Sequence, residues 1–164
     1  MATTRAESSH GVNSQLTAKG LRFGLVVADF NQEVTGQLKA GAIQALQDHG
    51  ALEDDIICRH VPGSIELTLG AQLMAEHLNV DAVICLGSVI QGETRHFDYV
   101  CDSVTQGITQ LNLRYQMPFI FGVLTTDNQQ QALDRAGGKF GNKGQEAAET
   151  AIRMVALRQD LEQQ

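Results

Sequence analysis

The sequence predicts a three-layer α/β domain, with a four-stranded parallel sheet and helices on both faces. Three observations carry this. Four short runs rich in Val, Ile, Leu and Phe read as strands, and the stretches between them repeat apolar residues at helical spacing. One of the four runs, "AVICLGSVI", is apolar at every position but Gly87 and Ser88, as a strand buried on both faces must be. Strict alternation of strand and helix then calls for parallel pairing, because a parallel connection needs a crossover.

In chain order, "LRFGLVVA" from Leu21 to Ala28 is the first strand. The following helix places Val34, Leu38, Ala42, Ala45 and Leu46 on one side and is stopped by Gly50. "DIICRHV" is the second strand. "GSIELTLGAQLMAEH" is the second helix, with Ser64 as its N-cap and Ile65, Leu69 and Leu73 along one face. After "AVICLGSVI", a third helix from Phe97 to Tyr115 repeats Phe97, Val100, Cys101, Val104, Ile108 and Leu111. Pro118 opens the fourth strand, "FIFGVLT". A short helix, "NQQQALDRA", breaks at Gly137 and Gly138, and "RAGGKFGNKG" reads as a helix break and a bend. The last helix starts near Asn142 and turns Ile152 and Val155 inward.

The chain has 164 residues, which suits one domain: residues 1–20 as a flexible polar arm and 21–164 as the α/β unit. A net charge of −7 without a basic run disfavours nucleic acid or an anionic membrane as partner. The arm lacks the apolar stretch of a secretory signal, and no segment approaches the ~18 apolar residues of a membrane span. Cys58, Cys85 and Cys101 stand singly in apolar patterns, as reduced core thiols, so the expectation is a cytoplasmic protein without metal or disulfide.

In open parallel sheets, ligands bind beyond the carboxyl ends of the strands. Four places follow: Asp29–Asn31, Val61–Glu66, Gln91–His96 and Thr125–Asn128. Phe30 can stack on a flat heterocycle. Read alone, the simpler role is favoured, in which Phe30 staples the first helix while Asn31 caps it. Ser64 and Glu66 can hold the hydroxyls of a polyol, but capping and the helix dipole account for both. At the third end, the N–H groups of Gly92 to Thr94 open a helix N-terminus suited to phosphate, and the Thr94 hydroxyl and Arg95 add donors. His96 stands beside that site. A histidine is disfavoured by the dipole there and has no evident structural task, whereas it can take and return a proton near neutrality. The fourth end reads as a turn with a helix cap. Arg135, Lys139 and Lys143 make a small basic group able to meet a phosphate or an acidic surface; the P-loop pattern is absent.

Together, "FN", "VPGSIE", "VIQGETRHFDYV", "FGVLTTDNQQQALDRAG" and "GKFGNKG" resemble the lumazine synthase family in order and spacing, from about Leu21 to Leu157. The resemblance implies a flavodoxin-like fold. It also implies a condensation of 5-amino-6-(D-ribitylamino)uracil with 3,4-dihydroxy-2-butanone 4-phosphate, without cofactor, in the penultimate step of riboflavin biosynthesis. Carried over by position, Phe30 stacks on the pyrimidine, and Ser64, Ile65 and Glu66 line the ribityl site. Ser88, Val89 and Ile90 offer backbone groups to the pyrimidine edge. Glu93 and Thr94 bind the phosphate through main-chain N–H groups, and His96 shuttles protons. Phe121 and Arg135 come from a neighbouring subunit, Arg135 to the phosphate, with Lys143 as a helper. Gln91, Glu93 and Arg95 depart from the family's usual residues there; Arg95 is expected to offset the charge of Glu93. The resemblance further implies pentamers, with twelve forming a 60-subunit icosahedral shell, and association with riboflavin synthase; the arm, without proline before Pro62, is able to add a strand to a neighbour's sheet.

Three other readings compete. A binding protein without turnover would not need both His96 and Arg135. A signalling receiver domain needs a phosphoacceptor aspartate after the third strand, where "SVIQG" stands instead. A pure scaffold would leave the polar strand ends idle.

Overall fold

A computed structural model describes residues 16–164 of the chain. The expected arm strand falls on residues that lie largely outside this range. The described part of the arm already touches the core: Ala18 is buried, and its N–H donates to the His49 carbonyl at 2.8 Å.

The elements alternate as the sequence requires. They are β1 (Phe23–Ala28), α1 (Gln32–Asp48), β2 (Ile56–Val61), α2 (Leu67–His77), β3 (Ala82–Ile90), α3 (His96–Tyr115), β4 (Phe119–Thr126), α4 (Gln129–Asp134), β5 (Ala136–Gly138), β6 (Gly141–Asn142) and α5 (Lys143–Glu162). The four long strands pair in parallel in the order β2-β1-β3-β4. This is a flavodoxin-like three-layer sandwich. Residues of β1 alternate between its two cores: Phe23, Leu25 and Val27 meet α1 and α5, while Val26 and Ala28 meet α2 and α3.

The helices show why sequence spacing places them. In α1 the five expected core positions are all buried, and Gly50 takes the left-handed φ of 101° that ends the helix. The close crossing of α1 and α5 depends on Gly144, where a Cβ would lie 1.9 Å from the Leu38 carbonyl oxygen. Asn142 caps α5, accepting from the N–H groups of Gly144 at 2.8 Å and Gln145 at 3.2 Å.

Two expectations are corrected. Residues 136–142 form a small antiparallel β5–β6 ladder rather than a simple bend. More consequentially, α2 begins at Leu67, so Ser64 is not its N-cap; Leu69 and Leu73 share one face as expected, with Ile65 just ahead of the helix, but that face is exposed while Leu67, Ala71 and Met74 are buried. The reason is steric. The sheet-facing side carries Gly70, where a Cβ would come within 2.9 Å of both Val61 Cγ1 and Val26 Cγ1. A leucine in that place would hold the helix off the sheet, so the small-residue face turns inward and the second apolar stripe turns out.

Candidate active site

The strand order reverses between β1 and β3: the chain leaves β1 for β2 on one side, then crosses to β3 on the other. Such a switch point opens a crevice at the carboxyl ends of the strands. A cavity of about 400 Å³ occupies it. Phe30 and Asn31 come from the end of β1, Gly63 to Glu66 from the β2–α2 turn, and Ser88 to Ile90 from β3. Gly92, Thr94, His96, Phe97 and Val100 complete it from the β3–α3 turn and α3.

The capping alternatives fail here, for local reasons. Asn31 stands at the N-cap of α1 in the left-handed region (φ 63°, ψ 49°), and its side chain makes no cap bond. Its Nδ2 instead donates across the cavity floor to the Ser88 carbonyl at 2.8 Å, tying β1 to β3. Phe30 staples nothing: it is 72% exposed, with its ring at the cavity. Helix α2 begins at Leu67 rather than beside Ser64, and neither Ser64 nor Glu66 makes a side-chain cap bond. Ser64 is buried, while Glu66 is exposed and reaches back over Gly63, where an added Cβ would lie 3.2 Å from its Oε2. Ser64 and Glu66 thus keep their polar atoms free of the helix end.

At the third strand end, Gln91 still belongs to the ladder, donating its N–H to the Thr126 carbonyl at 2.8 Å. Beyond it, the N–H groups of Gly92, Glu93, Thr94 and Arg95 find no acceptor among the described residues. These donors stand at the N-terminus of a 20-residue helix, where partial positive charge favours an anion. His96 is the first residue of α3; it is exposed, lines the cavity, and its N–H donates to Thr94 Oγ1 at 3.4 Å. Arg95 does not offset Glu93 as expected. It pairs with Asp98 at 3.5 Å, one helical turn on, where the geometry of an (i, i+3) pair draws it off.

Three candidate residues stand outside this chain's cavity lining. Glu93 is exposed on the turn, beside the lining residues Gly92 and Thr94. Phe121 is half-buried on β4, one of the two edge strands, against the α2–α3 core. Arg135 is half-buried after α4 and has no ion pair among the described residues. The basic group is otherwise engaged: Lys143 pairs with Glu146 at 3.4 Å, and the Lys139 ammonium lies 4.8 Å from the Phe140 ring centroid. The fourth strand end contributes nothing to the cavity; Asn128 caps α4 through the Gln131 N–H at 2.9 Å. Sequence reasoning missed Asn31 as a tether and placed Phe97 and Val100 only in the core, since helical spacing does not reveal that a helix's first turn borders a cavity.

The cysteines are free thiols. Burial pushes Cys85 up to about 12, and Cys58 and Cys101 are raised by the same cause. None of the three lines the cavity.

The family model described as 6,7-dimethyl-8-ribityllumazine synthase matches residues 20–159. The protein of that name from Parabacteroides distasonis is 55% identical over 148 residues, covering 90% of this chain and 92% of that one. Its namesake from Cytophaga hutchinsonii is 60% identical over 134 residues, covering 82% and 84%. The one from Phocaeicola vulgatus is 49% identical over 155 residues, covering 94% and 92%. A flavodoxin-like sheet with its cavity at the β1–β3 switch point, and a match running through nearly the whole α/β unit, lead to one statement: the chain belongs to the 6,7-dimethyl-8-ribityllumazine synthase family.

Proposed function

We infer that this chain is a transferase that condenses 5-amino-6-(D-ribitylamino)uracil with 3,4-dihydroxy-2-butanone 4-phosphate, giving 6,7-dimethyl-8-ribityllumazine, phosphate and two waters. The observation that carries this reading is one cavity lined by an exposed aromatic, a free carboxylate, a histidine, and Gly92 and Thr94 with their unpaired N–H groups. These suit a flat heterocycle, a polyol, a proton transfer and a phosphate in turn.

The amine of the pyrimidine attacks the ketone and water leaves, forming an imine. Phosphate is then eliminated, and ring closure expels the second water. In this chain Phe30 stacks on the pyrimidine, and backbone groups of Ser88, Val89 and Ile90 meet its edge. Ser64, Ile65 and Glu66 hold the ribityl chain, with Glu66 accepting from its hydroxyls. Main-chain N–H groups at Glu93 and Thr94 hold the phosphate. His96, next to them, takes and returns protons. Most of the acceleration comes from holding two substrates in one geometry, with one base assisting.

Phe121 and Arg135 serve the cavity of an adjacent subunit, Phe121 closing it and Arg135 pairing with the phosphate. Both lie away from the β1–β3 switch point, Phe121 on β4 and Arg135 after α4, which supports that division. So does the exposed apolar face of α2, with Leu69 and Leu73, which a second copy would cover. The assembly is a pentamer, twelve of which make an icosahedral shell in the cytoplasm.

The test is a rate measurement with both substrates. Lumazine fluorescence and phosphate release are followed together against a protein-free control, since the substrates also condense slowly unaided. Equal yields of the two products, formed faster than in the control, are expected. A rate no greater than the control removes the reading.

A further inference from the structure

Phe30 has little packing to hold it, yet a stacking surface is useful only if it is fixed before the ligand arrives. What fixes it lies beneath it, on the α1 side of the sheet. Asp29 and Phe30 both donate their N–H groups to the tail of β2, to the Val61 carbonyl at 2.8 Å and the Pro62 carbonyl at 3.1 Å. In a regular strand successive residues face opposite neighbours, so two successive donors on one neighbour mean that the chain wheels at this corner. On the far side, Asn31 ties the corner to β3.

The third restraint is a side-chain relay. His60, near the end of β2, places its Nδ1 2.7 Å from Asp29 Oδ1. Its Nε2 lies 3.4 Å from the Lys39 ammonium on α1. A lysine ammonium only donates, so Nε2 is the acceptor and the ring proton sits on Nδ1, where it donates to Asp29. One strand, its neighbour and the first helix are thus joined through a single imidazole, at the residue that precedes Phe30. The pair is about half exposed, which makes it a weak contributor to folding. No residue of this relay lines the cavity.

We propose that Asp29 and His60 are positioning residues that hold the Phe30 ring in its stacking orientation, and so set the affinity for the pyrimidine substrate. The inference rests on the stacking assignment of Phe30 made above.

The experiment measures kcat and both KM values for the assembled protein carrying His60→Phe, Asp29→Ala or His60→Asn, alone and combined with Phe30→Ala. A surface pair of this kind corresponds to a change of about two- to fivefold. The KM for the ribitylaminouracil is expected to rise by that factor in His60→Phe and Asp29→Ala, with kcat and the KM for the butanone phosphate unchanged. His60→Asn, whose amide places a donor where Nδ1 stood, restores the wild-type KM. In the Phe30→Ala background His60→Phe adds nothing, because the ring to be positioned is gone. An unchanged KM in both single variants overturns the proposal. So does an equal loss in the Phe30→Ala background, which would mark a merely structural role. If Phe30→Ala itself leaves that KM unaltered, the stacking assignment falls and takes this inference with it. A rise in Phe30→Ala without one in His60→Phe or Asp29→Ala sinks this inference alone.

Discussion

Truncating Phe30 to alanine separates binding from folding, because the ring is 72% exposed. A phenylalanine side chain offers about 200 Å² of apolar surface, so about 140 Å² of it is open to a ligand. A heterocycle stacked on one face covers about half of that, about 70 Å², worth about 1.8 kcal/mol at ~25 cal/mol/Å², or about twentyfold in affinity. The buried remainder, about 55 Å², bounds the folding loss at about 1.4 kcal/mol. The assay is a steady-state titration of the ribitylaminouracil at saturating butanone phosphate, with a thermal melt in parallel. The KM for the pyrimidine should rise about twentyfold while kcat at saturation stays within about twofold. A KM within twofold of wild type would refute the stacking argument, as would a kcat loss without a KM change.

Other consequences can be checked alongside. Arg135→Ala should raise the KM for the butanone phosphate by about tenfold, as loss of a charge-assisted contact would, and leave that for the pyrimidine alone; an unaltered phosphate KM counts against the contact. Gly144→Ala forces a methyl to within 1.9 Å of the Leu38 carbonyl and should cost about 3 kcal/mol or more, read as a lowered melting temperature or loss of soluble protein. Cys85, whose thiol is raised from 9.0 to about 12 by burial, should resist alkylation at pH 8 until the protein unfolds. Since its folded value lies above its unfolded one, its contribution to stability is complete below pH 9 and declines as the pH rises toward 12, a loss visible in denaturant midpoints.

How much of this was legible in the sequence depends on which force decides each feature. β3 was readable from Ala82 to Ile90 because burial on both faces leaves an unbroken apolar run with sharp ends. The core face of α1 was readable because only one apolar stripe runs along it. α2 carries two stripes, and periodicity alone does not say which meets the sheet; Gly70 decides it by close approach, which has no periodic signature. Strand order is likewise absent from a linear alternation of elements. It is the order β2-β1-β3-β4 that puts the cavity between β1 and β3 and leaves Thr125–Asn128 to cap a helix.

The site shows the same division. Residue types at the strand ends pointed to Thr94 and His96 by their chemistry, whereas Phe30 and Glu66 took functional roles only through the family resemblance. Capping competed with that reading at Asn31, Ser64 and Glu66, since the same atoms serve both ends. Only coordinates separate the two, as when Asn31 turns its amide to Ser88 instead of to its own helix. The Asp29–His60–Lys39 relay joins residues up to 31 positions apart and leaves no local pattern at all.

The claim that the reaction takes place in the cavity bordered by α3 is tested most directly at His96. With the assembled His96→Ala protein and both substrates, kcat is expected to fall about a hundredfold or more after subtraction of the unaided rate, with both KM values near wild type. A kcat equal to that of the unaltered protein would remove the proton transfer from His96 and contradict the account.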